Sequence, residues 1–438
     1  MPRKAIELLG TLNHPQRRAL TEEMHARQFP AFAAPARMLQ LVVLHAEAPA
    51  ASPAEHAIAL CRAFGVAAPD AGKFMSVRLP NCEFFWEHHS EFSTYSFIQR
   101  GQRAAPFAVP FLKELPLDWL GSIPGQVLRA TQVVLLERSE PEPDAAQLAG
   151  WFRPDELVCC DVEGGAARLW SDFRVHEDGL GRLLLHDRGL VGEGEPSRLV
   201  QRLQELGNYR NMAMLGLPVA QRLTPTLTAL EQRLAALTRD IAARSTGDEE
   251  MMQQLSQLSA ELARLTADTS YRMSASRAYA QIVADRLHGV RVGRVAGFLT
   301  LADFTERRLT PAMRTCESFS RRSEELSERA AWASSLMRMR IETALENQNR
   351  DLLASMNRRA LLQLRLQQTV EGLSVIAISY YAVGIIGYAA KAVAHLAPGF
   401  SPDLAAGLSA PFVLLGVWWL MRRLRRSVES AGRESHRA

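Results

Sequence analysis

Two uncharged apolar stretches near the C-terminus, at 372–390 and 404–421, constrain this chain more than any other feature. Each has the length of a helix that crosses the hydrocarbon core of a bilayer, roughly 17–25 residues. The second stretch ends with Trp418 and Trp419, and tryptophan is enriched at membrane interfaces. The pattern predicts a transmembrane hairpin over 371–426, with a pair of buried soluble helices as the alternative.

Basic residues on either side of the hairpin predict its orientation. Arginines precede the first span and follow the second, whereas the loop between the spans is nearly balanced in charge. By the positive-inside rule both ends of the hairpin lie in the cytoplasm, so we expect a two-span membrane protein whose partner is the lipid bilayer. The arginines that carry this prediction are Arg358, Arg359, Arg365, Arg422, Arg423, Arg425 and Arg426.

Polar residues at the first span are candidates for lining a path through the membrane. Serine and tyrosine at helical spacing more often pack one helix against another. Glu371, at the inner edge of the span, can instead cap the helix or extend to the interface. Both interpretations stay open for Glu371, Ser374, Ser379, Tyr380 and Tyr381.

Upstream of the first span, 310–370 is predicted to be one long stalk helix. Thr310 and Pro311 suit a helix start, and neither proline nor glycine recurs before Gly372. Apolar residues recur mostly every third or fourth position, and Gln348 falls on this seam, where a polar residue sets the register of packed helices. Because a helix of this length needs partners to stay folded, we expect a homo-oligomer formed through the stalk.

The segment 196–309 is predicted to be a helical hairpin followed by an elbow. Leucines alternate at intervals of three and four on either side of a break at 245–248, which is the heptad pattern of a coiled coil. A short break between two such helices indicates an antiparallel pair, which would pack against the stalk. The heptad positions are Leu223, Leu227, Leu230, Leu234, Leu237, Ile241, Leu255, Leu258, Leu262 and Leu265.

Residues 1–195 are predicted to form a mixed α/β head. Short β-prone runs such as 38–46 follow one another with few helices between them, which favours an α+β fold with a partly antiparallel sheet. Ser52 and Pro53 suit the start of a helix. The N-terminus lacks an apolar segment of signal-peptide length, so we expect the head in the cytosol, and 427–438 is predicted to be a disordered tail.

Composition and motifs argue against several functions. All but four of the 51 basic residues are arginine, but they do not cluster with aromatic residues outside the membrane flanks, so no nucleic-acid binding is expected. The five cysteines lack CxxC spacing, which argues against a zinc site or a disulfide framework. Because GxSxG, GxxxxGK[ST] and GxGxxG motifs are absent, we predict no catalytic residue, no organic cofactor and no enzymatic activity.

Two polar clusters in the head carry the residue types of a transition-metal site. One lies within 14–27 and the other within 87–91, where alternate residues would share one face of a strand. If they converge, a divalent cation would be the cofactor of a sensor head. The alternatives are a polar network at a helix end and a solvated strand face. The candidate ligands are His14, Glu23, His25, Glu87, His89 and Glu91.

Several long blocks of sequence resemble a single family. They include SMNRRALLQLRLQQTVEGLSVIAISYYAVGIIGY (355–388), RRLTPAMRTCESF (307–319), WEHHSEFSTYSF (86–97) and HPQRRALTEEMHAR (14–27). On these blocks the chain is identified as a member of the bacterial Domain of Unknown Function 3422 family, described as predicted membrane-anchored proteins. The resemblance implies the bacterial inner membrane as the location and supplies no activity.

The layout also resembles CorA-like magnesium transporters, which have a cytosolic α/β domain, a long helix running into the first span and a basic end to the second. Their Gly-Met-Asn loop is absent, since the first span here continues as YAVGIIGYAAKAV (381–393). Three functions stay open. We favour a membrane-anchored, non-enzymatic scaffold or interaction protein. The alternatives are a CorA-like oligomeric cation channel or transporter and a metal-binding sensor head.

Overall fold

The architecture comes from a computed structural model of the full chain. The chain divides into two compact units, Met1–Ser334 and Ser335–Ala438. Within the described part, the β-sheet belongs to the first unit, and the second unit is helical. The structure describes residues 12–25, 29–46, 52–69, 72–101, 106–108, 110–192, 194–243, 247–394 and 401–434.

The first unit is built on a nine-stranded mixed sheet with strand order β2-β3-β4-β1-β5-β8-β7-β6-β9. Neighbouring strands are antiparallel except β5 and β8, which are parallel. The prediction of a mixed α/β N-terminal region is therefore confirmed. The strands are β1 (Ala36–His45), β2 (Phe74–Arg78), β3 (Glu83–His88), β4 (Phe92–Arg100), β5 (Gly125–Leu136), β6 (Val158–Val162), β7 (Ala167–Ser171), β8 (Gly181–Asp187) and β9 (Gly293–Arg294).

The helices begin where the local sequence supplies caps. Ser52 Oγ accepts a hydrogen bond from the backbone N of Glu55 at 3.1 Å, and the Glu55 carboxylate accepts one from the Ser52 backbone N at 3.1 Å. This capping box begins the helix that Ser52 predicts. The helices are α1 (Arg17–His25), α2 (Pro53–Ala63), α3 (Leu117–Gly121), α4 (Ala145–Trp151), α5 (Glu195–Met214), α6 (Gly216–Ala243), α7 (Asp248–Gly289), α8 (Leu301–Ala394) and α9 (Pro402–Glu434).

An aromatic core lies where α2 and α3 pack on the sheet. Phe84, Tyr95 and Phe97 are fully buried in it. The rings of His56 and Trp119 stack with their centroids 4.6 Å apart. His56 Nε2 also forms a hydrogen bond of 2.8 Å with the Trp119 carbonyl oxygen. Trp119 Nε1 donates one of the same length to the His56 carbonyl oxygen. The two helices are thereby tied to each other as well as to the strands.

A second cluster joins α5 and α7 to the sheet. Met212 of α5 packs against Val42 of β1 and Phe92 of β4, and all three are buried. Tyr209 of α5 and Tyr279 of α7 border this cluster with their rings stacked at 5.7 Å. Burial of apolar surface from both helices therefore positions α5 and α7 against the strands.

The heptad leucines of α6 and α7 are buried from Leu227 onward. The first-unit part of α8 contacts both helices. Arg322 donates two hydrogen bonds to the Glu231 carboxylate of α6, at 2.9 and 2.8 Å. Ser323 Oγ lies 3.1 Å from Thr266 Oγ1 of α7. The burial agrees with the predicted packing of these helices, while a coiled coil as such stays a prediction.

Helix α8 begins at Leu301, earlier than the predicted start at Thr310, and Pro311 lies inside it. The start is explained by the residue before the helix. Thr300 Oγ1 accepts a hydrogen bond from the Asp303 backbone N at 3.0 Å, and the Asp303 carboxylate accepts one from the Thr300 N at 3.2 Å. This reciprocal cap satisfies the first turn, and a proline that follows costs the helix one interior hydrogen bond.

The second unit consists of α8 from residue 335 onward and α9. Two helical segments, Leu301–Ala392 and Pro402–Arg423, are long and apolar enough to cross a membrane, with mean hydropathies of 1.7 and 1.8 in their most apolar windows. Large apolar side chains stay exposed, including Ile376 at 64% and Phe412 at 74%. Helix α9 continues to Glu434, into the segment predicted as a tail.

Candidate functional site

The candidate metal ligands at 87–91 span the end of β3 and the turn after it, because β3 ends at His88 and β4 begins at Phe92. The His89 backbone N donates to the Phe92 carbonyl at 2.8 Å and closes this turn. Glu87, His89 and Glu91 therefore do not lie along one continuous strand. The three side chains divide into two groups.

Glu87 and His89 form one group, with Glu87 Oε2 3.4 Å from His89 Nε2. Glu91 faces α7, where its carboxylate accepts a hydrogen bond from Arg272 and one of 2.7 Å from the Tyr279 hydroxyl. The Glu91 carboxylate is therefore engaged in a structural ion pair with Arg272.

Of the three candidate ligands in the first cluster, the structure describes the side chain of His14. His14 is exposed, and its Nδ1 accepts a hydrogen bond from the Gln16 backbone N at 3.2 Å. Glu23 and His25 lie in the backbone of α1, but their side chains fall outside the described residues. Within the described part of the chain, no group of three or more His, Cys, Asp or Glu residues is arranged to hold a metal ion.

A pair of histidines meets beside this turn. His45, at the end of β1, stacks on His88 with ring centroids 4.6 Å apart. The Ser93 hydroxyl lies between them, 2.9 Å from His45 Nε2 and 3.1 Å from His88 Nδ1. Sequence reasoning missed His45, because the register that brings β1 beside β4 is a tertiary feature.

The environment of the two imidazoles favours their neutral form. Burial lowers the pKa of His45, and the neighbouring His88 lowers it further. Burial lowers the pKa of His88 as well, with His89 adding to the effect. Ser93 is 1% exposed, so the hydroxyl between the rings is closed to a substrate. The trio therefore resembles a buried polar network more than a catalytic site.

A small cavity of about 20 Å³ adjoins this region and is lined in part by Glu87, His89 and Glu205. Burial raises the pKa of Glu205, and an ion pair with Arg286 at 2.9 Å opposes that effect. A cavity of this size holds about one water molecule. It is too small for an organic ligand.

The cysteine thiols are also poorly suited to nucleophilic chemistry. Burial raises the pKa of Cys82 and of Cys159 to about 12, and that of Cys160 to about 11. A protonated thiol is a weak nucleophile. All five cysteines are free thiols.

Two of the larger pockets among the described residues of the first unit differ in their lining. One, of about 790 Å³, is a groove lined by α7 and α8, with apolar side chains such as Leu287 and Met313 and charged ones such as Glu306. The other, of about 270 Å³, we call the arginine pocket. Four arginines line it, Arg129 from β5, Arg174 from the segment after β7, Arg182 from β8 and Arg210 from α5.

Sequence reasoning missed the arginine pocket. Its one local signal is Arg129, a charge within β5 that lies four residues before the apolar run at 133–136. The sequence around Arg210 predicts a helix and no binding site. The packing of α5 on the sheet brings the side chains of Arg129 and Arg210 together. The pocket is therefore a product of tertiary structure.

Within the second unit, Glu371 and Ser374 form hydrogen bonds inside helix α8. Ser374 Oγ donates to the Val370 carbonyl at 2.8 Å, and Gln367 donates to the Glu371 carboxylate at 3.3 Å. Both are bonds within one helix. Ser379 is 4% exposed, and its hydroxyl has no partner among the described residues.

The aromatic residues of the two apolar segments differ in their surroundings. Tyr380 and Tyr381 are 76% and 70% exposed. Arg422 lies over the Trp418 ring at 4.9 Å, and Arg423 over Trp419 at 5.4 Å. Arg358, Arg359 and Arg365 are exposed, whereas the side chains of Arg425 and Arg426 fall outside the described residues.

The two helices of the second unit approach each other closely at Gly387. A side-chain carbon added at Gly387 would lie 3.6 Å from the Cβ of Ala406. Small residues at such a position allow helices to pack closely, as they do in membrane-spanning helix pairs.

These features define a class of protein, an α/β unit on a chain that carries two helices apolar enough to cross a membrane. The chain belongs to the family described as "Protein of unknown function (DUF3422)", whose family model matches residues 12–428. The membership expected from the sequence blocks is therefore confirmed.

Comparisons beyond the family add little. No curated protein gives a match. A solved structure, that of the full-length CmaX protein, is similar at 14% identity, covering 76% of this chain and 94% of that one, with a TM-score of 0.23. A TM-score this low carries no argument about fold or function. The likeness to CorA-like transporters receives no support from these comparisons.

Proposed function

We propose that this protein is a membrane-anchored cytoplasmic scaffold or interaction protein of the bacterial inner membrane, without enzymatic activity. The observation that carries the proposal is the pair of apolar helical segments whose large side chains are exposed. Exposed apolar surface on this scale marks a membrane or protein contact. The protonated thiols and the closed Ser93 hydroxyl favour a binding role over nucleophilic catalysis.

The proposed anchor is a transmembrane hairpin with both ends in the cytoplasm. Its supports are the close approach of Gly387 to Ala406 and the arginines that follow Trp418 and Trp419. Aromatic residues followed by cations are typical of the cytoplasmic interface of a span. The loop between the spans would then face the periplasm.

A reporter fusion tests the anchor. Alkaline phosphatase, which is active only in the periplasm, is inserted within 396–402, and the control carries it after Ala438. We expect activity from the loop fusion and none from the C-terminal fusion. An inactive loop fusion in an expressed, membrane-bound protein would contradict the topology.

We further propose that second-unit stalk residues assemble the protein into a homo-oligomer. Large apolar side chains between 336 and 370 are exposed, among them Leu352 at 61% and Met356 at 63%. A long helix with an uncovered apolar seam gains stability by pairing, and a second copy of the same seam is self-complementary.

The test of assembly is the mass of the detergent-solubilised protein, measured by light scattering. Leu352→Glu with Met356→Glu should lower the mass to that of a monomer, because like charges would face each other in the seam. Asn347→Glu adds charge at an exposed position on the opposite face of the helix and is the control. A monomeric wild-type protein would contradict assembly while leaving the anchor intact.

A further inference from the structure

The arginine pocket carries more positive charge than its surroundings neutralise. Two of its four arginines have carboxylate partners. Arg174 forms a bidentate ion pair with Glu156, and Arg182 binds Asp178 at 3.1 Å. These pairs account for one half of the cationic charge that lines the pocket.

The other two arginines, Arg129 and Arg210, have no carboxylate within ion-pair distance among the described residues. Arg129 donates instead to two neutral amides, those of Gln204 and of Asn208, the latter at 2.8 Å. Neutral acceptors orient the guanidinium of Arg129 but leave its charge uncompensated.

Arg210 is held by aromatic rings. Its guanidinium carbon lies 4.7 Å from the centroid of Phe173 and 5.3 Å from that of Phe304, and those two rings stack at 4.4 Å. Arg210 Nη1 is shielded from solvent and has no hydrogen-bond partner in the described part of the chain. A buried donor without an acceptor is unfavourable unless a ligand supplies one.

The lowered pKa values of Arg129 and Arg210 also favour a bound anion. Burial, together with the nearby Arg210, lowers the pKa of Arg129 to about 9. Burial, together with the nearby Arg308, lowers the pKa of Arg210 to about 10. Desolvated like charges in proximity destabilise each other, so an anion between them would be favoured.

The backbone of α5 makes room for this arrangement. A side-chain carbon at Gly207 would lie 2.7 Å from Arg129 Nη2 and 2.8 Å from its guanidinium carbon. Any larger residue at 207 would displace the guanidinium from its position against the helix. Glycine there keeps Arg129 directed at the amides of α5.

We propose that the arginine pocket binds the phosphate group of a small phosphorylated compound. A phosphate dianion would balance the two uncompensated guanidinium charges, whereas a single carboxylate would leave one of them unbalanced. The planar fork of arginine suits paired phosphate oxygens. A volume of about 270 Å³ is near the lower end of ligand pockets and leaves room for a short organic group beside Phe173.

A phosphomonoester can come from a soluble metabolite or from a lipid headgroup, and the test separates them. Thermal unfolding of the full-length protein in neutral detergent is followed with inorganic phosphate, glycerol 3-phosphate or dioctanoyl phosphatidic acid, each against chloride at equal ionic strength. We expect Tm to rise by roughly 3 °C or more with a bound probe. A rise with the soluble probes identifies a metabolite site, and a rise with phosphatidic acid alone identifies a headgroup site. No rise with any of the three would overturn the proposal.

Substitution connects the response to the pocket. Arg210→Gln should weaken binding of the responding probe at least about tenfold in calorimetric titration, because it removes charge-assisted hydrogen bonds. Arg222→Gln, at an exposed position of α6 outside the pocket, is the control and should bind as wild type. If Arg210→Gln does not fold, Arg210→Lys keeps the charge and removes the fork. Wild-type affinity in the folded Arg210 variant would overturn the proposal.

Discussion

The Tyr279 hydroxyl donates a hydrogen bond of 2.7 Å to the Glu91 carboxylate, joining α7 to the turn between β3 and β4 across 188 positions of sequence. Arg272, about two helical turns earlier on the same face of α7, binds the other carboxylate oxygen. The Glu91 side chain is 9% exposed. Two donors of one helix therefore hold the turn that follows β3 and contains His89.

Tyr279→Phe should lower the free energy of unfolding by about 1.5–3 kcal/mol, the range for a hydrogen bond to a charged group. The measurement is chemical denaturation of the detergent-solubilised protein followed by tryptophan fluorescence. Tyr271→Phe is the matched control, since Tyr271 lies on the same helix and is 63% exposed. Equal stability of the two variants would contradict a structural role for this bond.

The core contact between His56 and Trp119 gives a second prediction. Trp119→Phe removes the ring donor to the His56 carbonyl, which stays buried, and it also leaves a small void. We expect a loss of about 1–3 kcal/mol in the free energy of unfolding. Trp332→Phe is the control, because Trp332 is 63% exposed. Thermal or urea unfolding that fails to distinguish the two variants would count against this core contact.

Gly125 gives a third prediction. Its φ is +151°, and a side-chain carbon there would lie 1.8 Å from the Leu44 carbonyl oxygen of the neighbouring strand. Gly125→Ala should therefore cost about 3 kcal/mol or more, since both strain and a backbone clash oppose it. Gly150→Ala in α4 meets nothing within 4 Å and should be neutral or stabilising by up to about 1 kcal/mol. Comparison of their Tm values checks both expectations.

The histidine pair predicts how stability depends on pH. The pKa values of His45 and His88 are lowered in the folded state, so below the unfolded value of about 6.5 the unfolded chain binds more protons. Stability should therefore fall as pH decreases from 6.5 toward the folded pKa values, with a slope of at most about 1.4 kcal/mol per pH unit for each proton.

Replacing both side chains, as His45→Gln with His88→Gln, should flatten this slope between pH 6.5 and 5. The measurement is the free energy of unfolding across that range, for the variant and for wild type. Tyr271→Phe changes no group that titrates there and should keep the wild-type slope. An unchanged slope in the double variant would contradict neutral imidazoles at this position.

Several local features were predictable because their physical causes are local. Ser52 and Glu55 form a capping box from adjacent residues, and the heptad leucines from Leu227 onward are buried because their spacing places them on one helix face. The earlier start of α8 also has a local cause, because Thr300 and Asp303 form a cap. The prediction places the start at Thr310 and Pro311 instead, since a Thr-Pro pair is a stronger helix-start signal.

The candidate site was less predictable. A period of two across 87–91 assumes that the strand continues, whereas β3 ends at His88 and a turn separates Glu91 from Glu87. The partner of Glu91 lies on α7, and no spacing within the sequence indicates it. Contacts between distant segments depend on strand register and helix packing, which single residues do not encode.

The amino-acid sequence alone determined the family, the mixed α/β N-terminal region and the two apolar helical segments. The family follows from long blocks of sequence, and the structural elements follow from composition and periodicity. These are properties of short stretches of the chain, so they do not depend on the tertiary structure. Tertiary structure alone decided the strand order, the His45–His88 pair and the uncompensated charge of Arg129 and Arg210. The physical reason is that desolvation and charge pairing depend on neighbours far apart in the chain, and only packing chooses those neighbours.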